Sequence, residues 1–118
     1  MELFMNGLQP LQQQVDDWVK TKGQRYFNEL TNLSNLTEEV GEVARLIGRQ
    51  YGEPSFKKGE EPSCVKTAIA DELSDVLFIV ICLANQMDIN LTEAFELNMD
   101  KKTNRDGRRH LENEKLKS

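Results

Sequence analysis

The sequence predicts an all-α fold, a four-helix bundle whose core is completed by a second copy of the chain. Apolar residues recur at helical spacing, and turn-forming residues separate the segments that contain them. Residues 76–84 form an unbroken apolar run, and a helix that is apolar on all sides must be buried on all sides. Four helices in a chain of 118 residues cannot surround such a helix. We therefore expect a homo-oligomer, either a dimer or a dimer of dimers.

The first two helices are expected over residues 8–20 and 28–50. Helical spacing places five apolar residues on one face of the first: Leu8, Leu11, Val15, Trp18 and Val19. Polar residues around Gly23 end this pattern. The second helix has its own apolar stripe: Leu33, Leu36, Val40, Val43 and Ile47. Gly41 in the middle of this helix costs about 1 kcal/mol relative to alanine, which favours a neighbouring helix or a ligand that approaches closely there.

The third helix is expected from about residue 63 to residue 87. It follows residues 51–63, which contain two glycines and two prolines and are expected to form a loop. The β-branched residues of 76–81 favour a buried strand on propensity alone. We favour a helix because the segment is long, alanines interrupt it at three positions, and the chain offers no second strand for it to pair with.

The fourth helix is expected from Asn90 to about Thr103. Asn90 can cap its first turn, and Glu93, three residues later, can close a capping box. Residues 104–118 are strongly charged and are expected to form a C-terminal extension, either helical or mobile. We expect residues 1–118 to form a single domain.

Composition and charge exclude several classes of protein. The chain has 38% hydrophobic and 30% charged residues and a formal net charge of −5, which argues against general binding of nucleic acid. The segment 1–10 does not have the pattern of a signal peptide, and the apolar run 76–84 is far too short to span a membrane. We expect no membrane association and a cytoplasmic location, with Cys64 and Cys82 both reduced. His110 is the only histidine, so zinc chemistry and histidine-assisted nucleophilic catalysis have little support.

Two acidic clusters are the most informative feature of the chain. Residues 38–42 read Glu-Glu-Val-Gly-Glu, and residues 71–75 read Asp-Glu-Leu-Ser-Asp. In each cluster, carboxylates three residues apart project from the same side of a helix. The second cluster leads directly into the buried run, where carboxylates are costly unless a cation compensates them. Four of these carboxylates are expected to converge between the second and third helices: Glu39, Glu42, Glu72 and Asp75.

An all-oxygen site of this kind suits a hard divalent cation, and Mg²⁺ suits it best. Either cluster by itself is more often a solvated helix face. Their occurrence on two helices, one of which leads into a buried segment, favours the metal site.

The chain resembles the MazG-like, all-α nucleoside triphosphate pyrophosphohydrolases. These proteins carry a Glu-x-x-Glu motif on one helix and a Glu-x-x-Asp motif on a later helix, which 39–42 and 72–75 match. The segments 18–53, 71–95 and 98–106 are also similar to the short, single-domain members. The resemblance covers about Val15 to Arg109. The stretch between the two motifs is long for the family, because the loop 51–63 is extended.

The resemblance implies hydrolysis of a (deoxy)nucleoside triphosphate between the α- and β-phosphates, which releases a nucleoside monophosphate and pyrophosphate. The expected role is house-cleaning of the nucleotide pool, and the expected cofactor is Mg²⁺, for which Mn²⁺ can substitute. By position, the metal ligands would be Glu39, Glu42, Glu72 and Asp75. Glu38 would be a further ligand or would orient the attacking water.

The resemblance also implies residues that bind the substrate. The family has an Asn-x-x-Lys-x-x-x-Arg pattern, which Asn98, Lys101 and Arg105 match. Lys101 and Arg105 are four residues apart, a helical spacing that suits a grip on phosphate oxygens. By position rather than by the resemblance, Trp18 is expected either to stack on the nucleobase or to lie in the core, and Asn35, near the acids, is expected to contact the edge of the base. Phe27 is a further stacking residue by position, although for Phe27 we favour a place in the core.

Three alternatives stay open at this point. Phosphoribosyl-ATP pyrophosphohydrolases share the helical arrangement of acids, and activity on that substrate would identify one. A di-iron four-helix oxidase needs Glu-x-x-His pairs, and neither acidic cluster contains a histidine. A helical interaction module without catalysis would show the same thermal stability with and without Mg²⁺.

Overall fold

The computed structural model describes residues 7–117, and every regular element in that range is helical. The four main helices are α1 (Gln9–Thr21), α2 (Glu29–Tyr51), α3 (Val65–Gln86) and α4 (Leu91–Lys101). A π-helical turn (Lys102–Gly107), a short helix α5 (Arg108–Glu112) and a 3₁₀ turn (Glu114–Leu116) follow. The all-α, four-helix prediction is confirmed, and 76–84 is helical despite its β-branched residues.

Side chains of asparagine begin two of the helices. Asn28 accepts a hydrogen bond from the backbone nitrogen of Thr31 at 2.9 Å and so caps α2. Asn90 caps α4 by accepting from the backbone nitrogens of Thr92 and Glu93, at 3.0 and 3.2 Å. The predicted cap at Asn90 is therefore confirmed. The reciprocal bond from the Glu93 side chain, which would complete a capping box, is not among the hydrogen bonds of residues 7–117.

Helices α2 and α3 make the most extensive contact in the chain. Helix α1 packs on α3, and α4 contacts α1. The buried apolar residues come mainly from α3, and they are Val19, Leu46, Ile79, Ile81, Cys82 and Ala84. The helix that carries the second acidic cluster is thus also the centre of the core.

The apolar stripe predicted on α2 is only partly buried within one chain. Leu36 and Val43 are half-buried, whereas three members of the stripe are exposed: Leu33, Val40 and Ile47. The face of α2 that packs on α3 is rotated toward Asn32 and Leu46, which are buried. The exposed residues lie along the neighbouring edge of the helix, where no other element of the described chain covers them.

Gly41 does not make the close contact that its position predicted. A Cβ atom built at Gly41 has no neighbour within 4 Å in residues 7–117, and the same is true at Gly48. The close approach expected at Gly41 is therefore not made by a helix of the same chain.

The C-terminal extension continues the course of α4. Its π-helical turn contacts α4 and α5, and these are its main contacts with regular elements. No helix among residues 7–117 is both long enough and apolar enough to cross a membrane.

Candidate functional site

Three carboxylates meet between α2 and α3. Glu39 on α2 and Glu72 and Asp75 on α3 each offer one oxygen, and these oxygens all lie within 4.8 Å of one another. The spacing of three residues between Glu72 and Asp75 places both on the side of α3 that faces α2. The predicted convergence of acids from the two motifs is therefore present for these three residues.

Two carboxyl groups of this cluster, those of Glu72 and Asp75, have raised pKa values. The pKa of Glu72 rises from 4.5 to about 7, first because its side chain shares a hydrogen bond with Glu39, then because of burial and neighbouring negative charge. Burial, followed by the charges of Asp71 and Glu39, also raises the pKa of Asp75. The second oxygen of Glu72, Oε2, is buried and has no hydrogen-bond partner. The cluster thus lacks a cationic partner within the described chain.

A hard divalent cation fits this arrangement. All the donor atoms are carboxylate oxygens, which are the ligands that such cations prefer. A bound cation would also satisfy the buried Oε2 of Glu72 and reverse the repulsion that raises the pKa of its carboxyl group. The group Glu39, Glu72 and Asp75 is therefore a candidate metal site.

The other two predicted acids, Glu38 and Glu42, are not members of this group of three. Glu42 points its Oε2 at the guanidinium of Arg45, with an N–O distance of 3.2 Å, and is half-exposed. Its charge nevertheless contributes to the raised pKa of Glu72, so it remains close to the cluster. Glu38 is exposed on α2 and is not part of the convergent group.

A cavity of about 570 Å³ opens beside the carboxylates, and Glu39 and Asp75 form part of its wall. This volume is within the range of small-molecule sites. The remaining wall residues come from α1, from the connection between α1 and α2, and from the facing sides of α2 and α3. They are Trp18, Val19, Gly23, Gln24, Arg25, Tyr26, Phe27, Asn32, Asn35, Phe78, Ile79 and Cys82.

Aromatic rings give this cavity a flat, apolar side. Trp18 packs edge-on against Phe78, with ring centroids 5.7 Å apart and an angle of 87° between the rings. Phe27 also lines the cavity and is 59% exposed, so the predicted place of Phe27 in the core is wrong. Asn35 lies in the same wall. The structure therefore brings Trp18 and Asn35 to the cavity that the acids border.

The predicted phosphate-binding residues lie elsewhere in the chain. Asn98, Lys101 and Arg105 belong to α4 and the turn after it, and none of them lines this cavity. Asn98 accepts a hydrogen bond from the ammonium group of Lys102. Arg105 forms an ion pair with Asp106 at 2.9 Å. Within one chain, these residues do not join the carboxylates.

Sequence reasoning missed several residues of the wall. Arg25 and Tyr26 follow α1 in a segment without periodicity, and no motif marks them. Asn32 is a polar residue beside an apolar stripe, a position at which side chains are usually solvated. A second, polar cavity of about 410 Å³, bordered by Gln12, Asp16 and Asn85, lies away from the acids at the junction of α1, α3 and α4.

Comparison with known proteins agrees with this geometry. Residues 27–110 match the model of the MazG nucleotide pyrophosphohydrolase domain. The uncharacterized protein YpjD of Bacillus subtilis (strain 168) is 37% identical over 99 residues, which are 84% of this chain and 86% of YpjD.

Two solved structures share the fold. The crystal structure of YpjD from Bacillus subtilis superposes with a TM-score of 0.68 at 37% identity, over 84% of this chain and 95% of that one. The crystal structure of the Bacillus-conserved MazG protein, a nucleotide pyrophosphohydrolase, gives a TM-score of 0.67 at 36% identity, over 84% and 92% of the two chains.

The raised pKa of Glu72 predicts how the stability of the metal-free protein depends on pH. A carboxyl group whose pKa is about 7 when folded and 4.5 when unfolded stabilises the fold below 4.5, and this contribution is lost as the pH rises toward 7. In EDTA, we expect the melting temperature to fall between about pH 5 and pH 7.5. Millimolar Mg²⁺ should remove most of this dependence, because the cation favours the ionised carboxylates.

Two variants test whether Glu72 is the source of this pH dependence of the melting temperature. Glu72→Gln cannot ionise and should have a flatter pH profile in EDTA, whereas Glu53→Gln, in the loop after α2, should keep the profile of the original protein. A melting temperature that is independent of pH in EDTA, and unchanged by Mg²⁺, would contradict both the carboxylate cluster and its role as a metal site.

Proposed function

Because the chain belongs to the MazG nucleotide pyrophosphohydrolase family, we propose that it hydrolyses (deoxy)nucleoside triphosphates between the α- and β-phosphates in the presence of Mg²⁺. The products would be a nucleoside monophosphate and pyrophosphate. The observation that carries this proposal is the convergence of Glu39, Glu72 and Asp75, with the unpartnered Oε2 of Glu72, at the border of a cavity large enough for a nucleoside.

In this proposal, Glu39, Glu72 and Asp75 hold Mg²⁺ or Mn²⁺, and Glu42 joins them. Glu42 is half-exposed on the helix that carries Glu39, and its only ion pair in the described chain, with Arg45, is a surface pair that contributes little to stability. If Glu42 left this ion pair to bind a divalent cation instead, the free energy lost with the pair would therefore be small. When bound, such a cation would neutralise charge on phosphate oxygens and favour attack by water.

Water is the nucleophile that best suits this site. Cys82 is the one thiol in the cavity wall, and burial raises its pKa to about 11, so it is protonated at neutral pH. Water would attack one phosphorus atom of the α–β anhydride, and the bond from that phosphorus to the bridging oxygen would break. Glu38, one residue before the convergent acids, is our proposal for orienting this water.

The nucleobase would bind against the aromatic side of the cavity. Trp18 and Phe27 are both partly exposed in its wall, and a flat ring between or upon them would bury apolar surface from both partners. Asn35 lies in the same wall and offers both a donor and an acceptor to a base edge. The apolar wall and the acidic border thus match the two ends of a nucleotide.

We infer that the active form is a homo-oligomer. The exposed surface includes Val40 and Ile47 on α2 and Leu73 and Leu77 on α3. The two edges belong to the helices in closest contact, so they can form one apolar surface. A second copy that covers this surface would complete the core, as a dimer or a dimer of dimers.

Oligomerisation would also account for the position of the α4 cations. Lys101 and Arg105 are exposed and lie outside the cavity of their own chain, yet a triphosphate needs cationic groups besides the metal. We propose that Asn98, Lys101 and Arg105 act on the cavity of a neighbouring copy. A cytoplasmic location and a role in house-cleaning of the nucleotide pool are part of the same proposal, and the two free cysteines are consistent with a reducing compartment.

Replacing Glu72 with glutamine tests the proposed chemistry. The variant keeps the size of the side chain but removes a charge from the ligand set, so pyrophosphate release should fall by at least about 100-fold. The metal-free variant should stay folded and become slightly more stable, because repulsion is relieved. The assay is pyrophosphate release from a panel of common and modified nucleoside triphosphates. Glu53→Gln is the control, and full activity in Glu72→Gln would rule out this site.

The oligomeric state can be measured by light scattering at micromolar concentration. We expect at least a dimer. Leu77→Glu places a charge in the apolar surface and should shift the protein toward monomers, whereas Leu111→Glu, an equally drastic change in the C-terminal extension, should not. A stable monomer of the original chain would show that the exposed surface is not an interface.

A mixed oligomer tests whether two copies share one site. Lys101→Ala should raise KM, because the lost contact is to phosphates in ground and transition states alike. Co-expression of differently tagged Glu72→Gln and Lys101→Ala chains should give hetero-oligomers with some sites that have both residues intact. Their activity at low substrate concentration should then exceed that of either parent. Activity no higher than the mean of the parents would place Lys101 at the site of its own chain.

A further inference from the structure

A chain of hydrogen bonds lies behind the wall of the cavity. The hydroxyl of Tyr26 donates to Asp16 Oδ1 at 2.6 Å and accepts from Asn85 Nδ2 at 3.0 Å. Asn85 also donates to the backbone oxygen of Gln12 and accepts from its Nε2, each at 3.0 Å. Gln12 is buried on α1 and further bonds to the α3–α4 turn through the oxygen of Ile89, at 2.8 Å. Tyr26 is thereby fixed to both α1 and α3.

Phe27, which follows Tyr26, is held by a separate set of hydrogen bonds. Gln86 at the end of α3 donates its amide to the backbone oxygen of Phe27. The same amide group accepts from Asn32 Nδ2 at 2.8 Å, and Asn32 is buried on α2. These bonds join the first residues of α2, the last residues of α3 and the connection between α1 and α2.

That connection forms one side of the cavity but has no regular structure of its own. Five consecutive residues, 23–27, line the cavity. Gln24 has a φ angle of 73°, which a non-glycine residue adopts only when its surroundings compensate the strain. Among the described residues, the side-chain bonds that tie this connection to the helices are those of Tyr26 and the one from Gln86.

We propose that Tyr26, held by Asp16 and Asn85, is a positioning residue that fixes residues 23–27 as the wall against which the nucleotide binds. The inference rests on the proposed function and adds a residue to it. Tyr26 makes no hydrogen bond to Glu39, Glu72 or Asp75, so its effect is on binding rather than on the reacting atoms. Without its hydroxyl, the connection would sample other conformations, and binding would require it to be ordered again.

The surroundings of Tyr26 keep it in the protonated state that this role requires. Burial, together with the bond to Asp16, raises the pKa of Tyr26 to about 12, so the hydroxyl remains a donor at neutral pH. Asp16 is held ionised by its bonds to Tyr26 and Lys20, the second an ion pair of 2.9 Å, and its pKa is lowered. Near neutral pH, Tyr26 is therefore protonated and can donate, and Asp16 is ionised and can accept.

The test is Tyr26→Phe, which removes one oxygen atom and keeps the ring. Losing a bond to a charged acceptor should raise KM about tenfold, while kcat stays within about twofold. Tyr51→Phe is the matched control, because Tyr51 lies exposed at the end of α2, and it should change neither constant. Asp16→Ala should reproduce the defect. Asp16→Asn, which retains an acceptor oxygen, should restore most of the loss.

Nucleotide binding supplies a second measurement that does not require turnover. Trp18 is the only tryptophan and lines the cavity, so its fluorescence reports binding of an α,β-methylene nucleoside triphosphate with Mg²⁺. Tyr26→Phe should weaken this binding about tenfold. An unchanged KM and an unchanged affinity in Tyr26→Phe, with an active original protein, would overturn the positioning role alone. So would equal losses of kcat in Tyr26→Phe and Tyr51→Phe.

The two proposals fail in different ways. If the original protein binds the analogue but releases no pyrophosphate from any substrate, the proposed function is wrong, while the fluorescence titration still decides the role of Tyr26. If it neither binds nor hydrolyses any nucleotide, both proposals are overturned. If circular dichroism shows that Tyr26→Phe does not fold, the comparison of Asp16→Ala with Asp16→Asn tests the same positioning role.

Discussion

The constraint on which the structure depends is the meeting of like charges between α2 and α3. Glu39, Glu72 and Asp75 meet without a basic residue among them, and the buried oxygen of Glu72 has no partner. Such a cluster opposes the packing of the two helices, because each carboxylate repels the others and loses solvation. Burial of apolar side chains offsets this repulsion. It occurs on α3, one or two turns after Asp75, where Ile79 and Cys82 are buried. A divalent cation would turn the repulsive cluster into a bond between the helices.

Helix α3 therefore has three parts with different roles. Its first half carries the acids, its second half supplies most of the core, and its last turn holds Asn85 and Gln86, which hydrogen-bond to the wall of the cavity. Because all three parts lie on one rigid helix, the acids and the wall keep a constant separation. The site has charged groups on one side and an apolar wall on the other. A nucleotide has a charged phosphate chain at one end and a flat base at the other, so the geometry favours a nucleotide over a purely apolar or purely ionic ligand.

Local patterns predicted what depends on local spacing. The four helices, the cap at Asn90 and the shared face of Glu72 and Asp75 all follow from residues a few positions apart. The approach of Glu39 to these two residues was predicted from the occurrence of acidic clusters on two helices, not from local spacing. The pair of Glu42 and Arg45 is equally local, but spacing alone does not show whether the carboxylate of Glu42 turns to Arg45 or to the other acids. The bonds of Tyr26 join residues as many as 59 positions apart. No periodicity marks them, since they depend on how α1, α2 and α3 come together rather than on any one segment.

The two glycines of α2 extend this argument beyond a single chain. Gly41 and Gly48 are seven residues apart and so lie on nearly the same side of the helix, and a Cβ atom at either would meet nothing within 4 Å. Each costs helix stability of about 1 kcal/mol relative to alanine, and the described chain offers no contact that offsets this cost. Val40 and Ile47 each directly precede one of them and are exposed. Small residues beside large apolar ones allow a helix of another molecule to approach closely. The oligomer that we propose would therefore explain three observations with one arrangement. They are the glycines of α2, the exposed edge of α2, and the separation of the α4 cations from the acids.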